Sequence, residues 1–505
     1  MNFLRCRMKW LMQLLIGVVL FAGYHLSFPA NRSESDDGYM YARIVAQESP
    51  ITTELYDLKF VLFLSSAHGI FSLVRQIAPT TDAYLLMCRI SAVCAVLTLL
   101  IFYRLLHRQG GMNRPTALLG TGLLAVSYHF WRYAVEAEVY LPAILAVTAL
   151  FYLAMRSVNQ GLSLPVAALM ALLAGVAVLI YKPNMIPVGF LLLLLFTRKE
   201  NRLLTVGTGA LAALIVVAGY YQVYQLNNEE QKNFLQYLLT ATHSPHRAAW
   251  SAVKIAAVMG SLLLAPNFMY GFPAVQRFLQ ASFQGQYLQD EIFAASQFPA
   301  TINAALITLA GCTVIFIVLL ARSIGRQTLR DFIQTPNLIV IGWLLTYTAL
   351  LIVQLDSFSP EPFVPLLLPI AYLVSVFIFK PLATQPLLPA AFVATVFFHN
   401  LLGGFGMIYS PDTEWLHCQQ KWLMQNARKG DVIVVHGAIV TQKKLAYYTP
   451  AKVLASSVFY ESPYAVTDTV RSDGRIFLLT DASNLNRKGY QPTGNCKGYL
   501  YEVRR

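Results

Sequence analysis

The sequence predicts a polytopic α-helical membrane protein that ends in a small α/β domain. Of its 505 residues, 56% are hydrophobic and only 12% are charged, a composition too apolar for an ordinary soluble protein. Long apolar segments recur throughout the chain before Pro411, and after it the composition becomes that of a small soluble domain. We therefore expect a transmembrane module at residues 1–410 and an extracytoplasmic α/β domain at residues 411–505.

The formal net charge of +13 fits the same class of protein. Short cytoplasmic loops of membrane proteins concentrate Lys and Arg, so the basic excess needs no nucleic-acid partner, and we expect none. The six cysteines include no C-x-x-C pair of the kind that binds metals. Cys88, Cys94 and Cys312 lie in apolar segments, where they resemble small buried hydrophobic residues.

We expect about eleven crossings of a bilayer whose hydrocarbon core is ~30 Å thick. The predicted spans are residues 10–28, 84–106, 115–128, 139–155, 164–181, 186–196, 203–224, 301–320, 338–353, 362–379 and 386–405. Arg5, Arg7 and Lys9 precede the first span, which predicts a cytoplasmic N-terminus and a C-terminal domain outside the plasma or inner membrane. A cleaved signal peptide also fits the basic start, but the many later spans favour a retained anchor.

Two further apolar pieces, residues 59–78 and 253–265, are predicted not to cross. If either one crossed, the arginines that follow the next span would lie on the outer side, against the positive-inside rule. We expect both pieces to be interfacial or re-entrant elements within two large outer loops, residues 29–83 and 225–299.

The C-terminal domain is predicted from an alternation of helix and strand patterns. Residues 412–426 suit a helix capped by Asp412. The predicted strands are residues 432–435, 475–479 and 499–503. Cys418 and Cys496 both lie in this domain, where an oxidising compartment favours a disulfide between them, and two free thiols are the alternative.

An acidic cluster follows the first span and stands out in a chain with a basic excess. Glu34, Asp36 and Asp37 lie within four residues of one another. A solvated loop is the alternative interpretation. Three other outer segments carry polar or titratable residues, namely residues 129–140, 243–247 and 356–361. All four segments are expected on the same side of the membrane, so their ionisable groups are candidates for a shared site.

Two motifs carry a resemblance to a known superfamily. The run DDGYMYAR at residues 36–43 resembles the first outer-loop signature of the GT-C superfamily, the integral-membrane glycosyltransferases that use polyprenyl-phosphate-linked sugars. The run FWRYAVEAEVY at residues 130–140 is similar to the second-loop motif of a GT-C branch related to protein O-mannosyltransferases. Where that branch typically carries a His-Pro-Pro-Gly-Tyr-like stretch, this chain has only Ser66-Ala67-His68-Gly69.

The resemblance implies a membrane glycosyltransferase with a polyprenyl-phosphate-linked sugar as donor. The acceptor would be a hydroxyl of a protein, lipid or glycan on the outer face. The resemblance also implies that Asp36 is the base that removes the acceptor proton, with Asp37 as its neighbour or the alternative. A divalent cation such as Mg or Mn, bridged by Asp36 and a glutamate of the second loop, is compatible with these residues, but nothing in the sequence requires it.

The departing phosphate calls for cationic or hydrogen-bonding groups aimed at its developing charge. The outward-facing candidates are Arg132, Lys182, His243, His246 and Arg247. Arg132 and Arg247 rank first because a guanidinium can bind phosphate through two parallel hydrogen bonds. For Lys182, the alternative is a side chain that extends along the membrane interface without a site role.

The second loop adds Glu136, Glu138 and Tyr140 as site candidates. Two glutamates separated by one residue point the same way in an extended chain but not on a helix. A structural ion pair between a glutamate and Arg132, or an interface cap, is the alternative to a site role.

Two other classes of protein compete with the enzyme. A transporter or lipid flippase would also have many spans, but it predicts mid-span ionisable residues and often a repeat relating two halves. The sequence shows few mid-span charges and no clear repeat. A non-catalytic assembly partner that binds through its outer C-terminal domain is the third interpretation.

Overall fold

The computed structural model describes residues 15–30, 36–47, 55–56, 59–227, 233–236, 252–283, 289–324, 333–354, 361–436, 439–455, 474–480, 490–492 and 500–503. The chain forms two compact units that alternate along the sequence. The first comprises Met1–Ser27, Ile44–Ala265 and Ala305–Leu401, and the second comprises Phe28–Arg43, Pro266–Ala304 and Leu402–Arg505. The predicted domain boundary at residue 410 stays a prediction.

Helices dominate the described residues. In chain order they are α1 Leu15–Leu26, α2 Asp36–Val45, α3 Phe63–Ile77, α4 Ala83–Arg104, α5 Arg114–Val126, α6 Tyr128–Ala134, α7 Tyr140–Gln160, α8 Leu164–Ile180, α9 Met185–Phe196, α10 Arg202–Asn227, α11 Ala252–Leu263, α12 Pro273–Phe283, α13 Gln289–Ser296, α14 Pro299–Ile324, α15 Thr335–Gln354, α16 Leu367–Val374, α17 Leu387–Asn400, α18 Gly406–Ile408, α19 His417–Asn426 and α20 Ile439–Tyr448. Single π-helical turns continue three of them, at Leu105–Gln109, Ser375–Phe379 and Leu401–Phe405.

Seven helical segments among the described residues are long and apolar enough to cross a membrane. They are Ala83–Gln109, Tyr140–Gln160, Lys199–Leu226, Pro299–Ile324, Thr335–Val353, Glu361–Leu382 and Leu387–Ile408. Three shorter apolar helices, Leu15–Leu26, Leu164–Ile180 and Lys182–Phe196, lie at other predicted crossings. The prediction of a multi-pass membrane protein is confirmed. The total of about eleven crossings stays a prediction.

The two pieces predicted not to span are short helices. Helix α3 has 15 residues and helix α11 has 12, and neither is among the candidate spans. Helix α3 buries Phe63 and Phe71 on one face, while Leu73 and Ile77 on the other face are 63% and 88% exposed. An apolar face left exposed on such a helix fits the predicted interfacial element.

Two glycines allow helices α8 and α10 to pack closely. A Cβ atom at Gly175 would lie 2.6 Å from Ile215 Cγ2, and one at Gly219 would lie 2.7 Å from Leu179 Cδ2. Small residues at helix contacts let backbones approach in a membrane, where packing replaces the hydrophobic effect as the driving force. The pair therefore fixes a tight contact between two predicted spans.

The C-terminal end of helix α17 carries a buried polar cluster. The Asn400 Nδ2 group donates to the carbonyls of Val126 and Leu263 at 2.6 and 2.8 Å, and its Oδ1 accepts from the Ala265 amide at 2.8 Å. The neighbouring His399 ring lies 3.2 Å from the Ala265 carbonyl. Buried backbone groups need such partners, because leaving them unpaired is costly. Asn400 therefore joins the end of α5, the end of α11 and the end of α17.

The C-terminal part of the second unit contains a five-stranded sheet of order β2-β1-β3-β5-β4. The strands are β1 Val432–Val435, β2 Lys452–Ala455, β3 Ile476–Leu479, β4 Tyr490–Pro492 and β5 Leu500–Val503. Strand β1 pairs in parallel with β2 and β3, whereas β5 runs antiparallel to β3 and β4. Leu423 of α19 and Leu445 of α20 pack with Ile433 and Phe477 in the core. The predicted α/β fold and its three strands are confirmed, and the sequence analysis missed β2, β4 and α20.

The predicted cap at Asp412 is wrong. Ser410 Oγ accepts the Asp412 amide and caps the 3-10 turn Pro411–Thr413, and Glu414 then has extended backbone. Helix α19 begins only at His417, without a side-chain cap at Leu416. Extended backbone at Glu414 interrupts the helix that the sequence pattern predicts.

Cys418 at the start of α19 forms a disulfide. The predicted partner, Cys496, lies outside the described residues. The pairing of these two residues therefore stays a prediction.

Replacement of Asn400 tests the buried polar cluster. Asn400→Leu keeps the volume but removes the partners of one buried backbone amide and two partly buried carbonyls. Each buried polar group left unsatisfied costs about 1–3 kcal/mol, so we expect a clear fall in the thermal unfolding midpoint of the purified protein in detergent. Asn159→Leu, which changes an exposed amide, is the control. An Asn400→Leu midpoint equal to that of Asn159→Leu would contradict this role.

Candidate functional site

The first candidate group lies at the start of helix α2. Asp36 and Asp37 open this helix, where the positive end of the helix dipole favours carboxylates. Asp37 Oδ1 lies 2.8 Å from the Lys443 Nζ of helix α20, and Tyr41, one turn further along, donates its hydroxyl to Asp37 Oδ2 at 3.4 Å. The Asp36 side chain lies outside the described atoms. Asp37 therefore has a defined orientation set by a cation and a hydroxyl.

Helix α20 is fixed by a second, buried ion pair. Lys444 Nζ lies 2.9 and 2.6 Å from the two carboxylate oxygens of Glu414, whose side chain is 1% exposed. Burial opposes ionisation of Glu414, but hydrogen bonding by His417 and the charge and hydrogen bond of Lys444 outweigh it and hold its pKa below the usual value. Because Lys443 and Lys444 are adjacent, anchoring Lys444 also sets where Lys443 projects.

Aromatic rings pack between α2 and α20. Tyr39 is only 2% exposed, and its ring lies 6.3 Å from that of Tyr447 and 5.9 Å from that of Tyr448. Aromatic pairs at such separations add to the stabilisation from buried area. The acidic helix is therefore held to α20 by an ion pair and by three rings.

The second-loop run forms a short buried helix, α6, followed by irregular chain. All seven residues of α6 are buried. Arg132 on α6 and Glu136, two residues past its end, form an ion pair, and both side chains are 2% exposed. The structure thus shows the alternative in which Glu136 pairs with Arg132. The predicted phosphate-binding role of Arg132 stays a prediction.

His129 on the same helix is held in its neutral form. Its Nδ1 lies 2.6 Å from the carbonyl of Ser261 in α11. Burial lowers the pKa of His129 to about 4; the bond to Ser261 opposes the shift and the charge of Arg132 adds to it. The ring therefore links α6 to α11 without adding a charge at neutral pH.

Glu138 and Tyr140 lie among tyrosines at the start of α7. Glu138 is 3% exposed. The Tyr140 ring lies 5.1 Å from Tyr133 and 5.6 Å from Tyr181, and its hydroxyl interacts electrostatically with Glu138 and Glu361. The structure thus brings two carboxylates and several hydroxyls together. Sequence reasoning missed Tyr181, which could have been noticed as the polar last residue of a predicted span.

Lys182 follows Tyr181 at the end of α8 and is partly buried. Its ammonium lies 5.8 Å from the centre of the Tyr220 ring, and its amide donates to the carbonyl of Lys59 at 3.1 Å. A cation over an aromatic face is stabilised by the ring quadrupole. The choice between a phosphate contact and an interfacial side chain stays open. The remaining predicted phosphate contacts, His243, His246 and Arg247, lie outside the described residues.

The predicted divalent cation needs several oxygen ligands close together. Within the described ranges, no group of three or more His, Cys, Asp and Glu side chains could hold a metal ion. The carboxylates of Asp37 and Glu136 are both engaged by cationic side chains. The bridging cation stays a prediction, and we assign it no part in the chemistry.

Comparisons with known proteins identify the fold. Residues 62–204 match the family model of the N-terminal domain of the protein O-mannosyl-transferase TMEM260. This stretch contains the second-loop run. No curated protein matches the chain by sequence.

Solved structures resemble the whole chain. ArnT from Cupriavidus metallidurans bound to undecaprenyl phosphate aligns with a TM-score of 0.58 at 11% identity, over 98% of this chain and 97% of that one. Its apo form gives a TM-score of 0.53 at 11% identity, with 99% and 98% covered. The Archaeoglobus fulgidus oligosaccharyltransferase in complex with Zn and sulfate gives 0.50 at 12% identity, with 93% and 68% covered. The predicted GT-C fold is confirmed. Together with the family match, these structures also confirm the predicted class of enzyme, a glycosyltransferase.

Removing Glu136 tests the buried ion pair. Taking away one partner of such a pair costs about 3–5 kcal/mol, whereas replacing both partners with apolar side chains is far less destabilising. We therefore expect Glu136→Gln to unfold at a lower temperature in detergent than the double variant Arg132→Met/Glu136→Met. Glu200→Gln, in the exposed Arg198 pair, is the control and should change little. A double variant less stable than Glu136→Gln would show that Arg132 does not depend on this carboxylate.

We expect low pH to destabilise the second unit by protonating Glu414. A carboxyl whose pKa is depressed by folding stabilises the protein above its usual pKa, and this contribution is lost as the pH falls through the lower folded value. We expect the unfolding midpoint of the full chain to drop as the pH falls below about 5, and to drop less in Glu414→Gln. Equal drops in both proteins would mean that other carboxyls account for the acid sensitivity.

Proposed function

We propose that this chain is a membrane glycosyltransferase that moves a sugar from a polyprenyl-phosphate-linked donor to an acceptor hydroxyl on the outer face of the membrane. The observation that carries the proposal is the family match over residues 62–204, in a chain whose fold resembles that of ArnT over nearly its whole length. In this arrangement the N-terminus is cytoplasmic and the C-terminal sheet is outside.

The comparisons support a polyprenyl-phosphate-linked donor and favour a protein hydroxyl as the acceptor. The ArnT structure contains undecaprenyl phosphate, which is a polyprenyl phosphate. The matching family is described as a protein O-mannosyl-transferase. We therefore take mannose as the first sugar to test and a protein hydroxyl as the first acceptor, with lipid and glycan acceptors as the alternatives.

The reaction needs one base and a stabilised leaving group. As the acceptor oxygen bonds to the anomeric carbon, its proton passes to the base, and the bond from that carbon to the phosphate oxygen breaks with its electrons on the phosphate. We assign the base to Asp36, with Asp37 as its neighbour or the alternative. The start of a helix favours the ionised carboxylate that a base must be.

The phosphate needs positive charge near the oxygen that leaves. Arg132 shares its charge with Glu136 inside the first unit. Arg132 keeps the first place among the described residues because a guanidinium can bind phosphate through two hydrogen bonds. Lys182, which is partly buried and lies over the Tyr220 ring, is the second described candidate. His243, His246 and Arg247 are the further candidates for this contact.

Single replacements of the two aspartates test the proposal. With purified protein in liposomes that contain a polyprenyl-phosphate-linked sugar and an acceptor peptide, we expect Asp36→Asn to lower transfer by about 100-fold or more, the usual contribution of a general base. Asp412→Asn, an exposed aspartate of the second unit, is the matched control and should transfer at the wild-type rate. Near-normal transfer by both Asp36→Asn and Asp37→Asn would contradict the assignment of the base.

A further inference from the structure

Lys443 contacts the acidic helix from far away in the sequence. Its ammonium lies 2.8 Å from Asp37 Oδ1, and the two residues are 406 positions apart. The Lys443 side chain is 24% exposed and the Asp37 side chain is 35% exposed, so the pair is partly shielded from solvent but still accessible to it. A charge-assisted hydrogen bond of this length fixes the direction in which the carboxylate points.

The helix that carries Lys443 has little freedom to turn. The five-stranded sheet and helices α19 and α20 share one hydrophobic core, and we call this part of the second unit the sheet domain. Leu445 is fully buried in that core. Thr441 accepts a hydrogen bond from the Gln420 amide at 3.0 Å, and Lys444 is held by Glu414 in a buried ion pair. Restraints on both sides of Lys443 set its position along and around the helix. The fold of the sheet domain therefore places the backbone from which the Lys443 side chain extends to Asp37.

We propose that Lys443 is a positioning residue for the catalytic aspartates and acts through Asp37, an inference that rests on the proposed glycosyl transfer. Two neighbouring carboxylates repel each other when both are ionised. An ammonium held on Asp37 offsets that repulsion and keeps Asp37 from turning toward the acceptor proton, which leaves Asp36 to take it. If Asp37 is the base, the same contact orients it directly. Either way, α20 of the C-terminal part is required for the chemistry as well as for folding.

The test compares the charge and the shape of residue 443. Lys443→Met keeps a long side chain without the charge, and Lys443→Arg keeps the charge. In the liposome assay we expect Lys443→Met to lower kcat by about 10- to 100-fold, the loss expected from misplacing a reacting group, while the KM for the donor changes little. Lys443→Arg should restore most of the kcat. Lys421→Met, an exposed lysine on α19, should behave as wild type.

Each outcome separates a positioning role from a structural one. All variants are compared at equal protein level and with their unfolding midpoints in detergent. Any of four results would overturn the inference. They are a wild-type kcat in Lys443→Met, an equal loss of kcat in Lys443→Met and Lys443→Arg, a loss of kcat that follows a lowered unfolding midpoint, and a rise in KM alone. Asp36→Asn and Asp37→Asn are measured alongside. Near-normal transfer by both would overturn the proposed base, whereas loss in either with a normal Lys443→Met would overturn only the role of Lys443.

Discussion

The hydrogen bonds of Asn400 are the constraint on which much of the first unit depends. They hold Val126, two residues before helix α6, and Leu263 at the end of α11. His129 and Ser261 then join α6 and α11 a second time. The second-loop run therefore keeps its position because one buried side-chain amide at the end of α17 satisfies backbone groups at the ends of α5 and α11. In a membrane, where water cannot replace a lost partner, such bonds leave few alternative arrangements.

The buried carboxylates also depend on fixed partners, because a buried carboxylate needs a cation close by. Glu136 has Arg132, and Glu414 has Lys444. Asp37 differs from these two, since it is partly exposed and opens a helix while its ammonium partner comes from the sheet domain. That combination suits a group that must stay ionised and oriented near a substrate. It also gives the sheet domain a direct connection to the acidic motif.

Much of the fold could be predicted because it depends on local composition. Apolar runs located the spans, and three β-branched or apolar runs located β1, β3 and β5. Strand β2, Lys-Val-Leu-Ala, was missed because it is only partly buried and lacks the continuous β-branched or apolar run of β1 and β3. Strand β4 was missed because it has only three residues and ends in a proline. The site was predicted less completely. The motifs pointed to Asp37 and Glu138, but the contact of Asp37 with Lys443 joins residues 406 positions apart, which no local pattern reveals.

The central claim is that the chain transfers a sugar from a polyprenyl-phosphate carrier, and glycoconjugate mass spectrometry tests it most directly. Membranes and exported proteins from cells that make the wild-type chain are compared with those from cells that lack it and from cells that make Asp36→Asn. We expect an acceptor in the wild-type cells to carry a hexose-sized mass. This mass should be absent from the other two, and both should accumulate the lipid-linked donor. Identical glycoconjugates and donor levels in all three would contradict it.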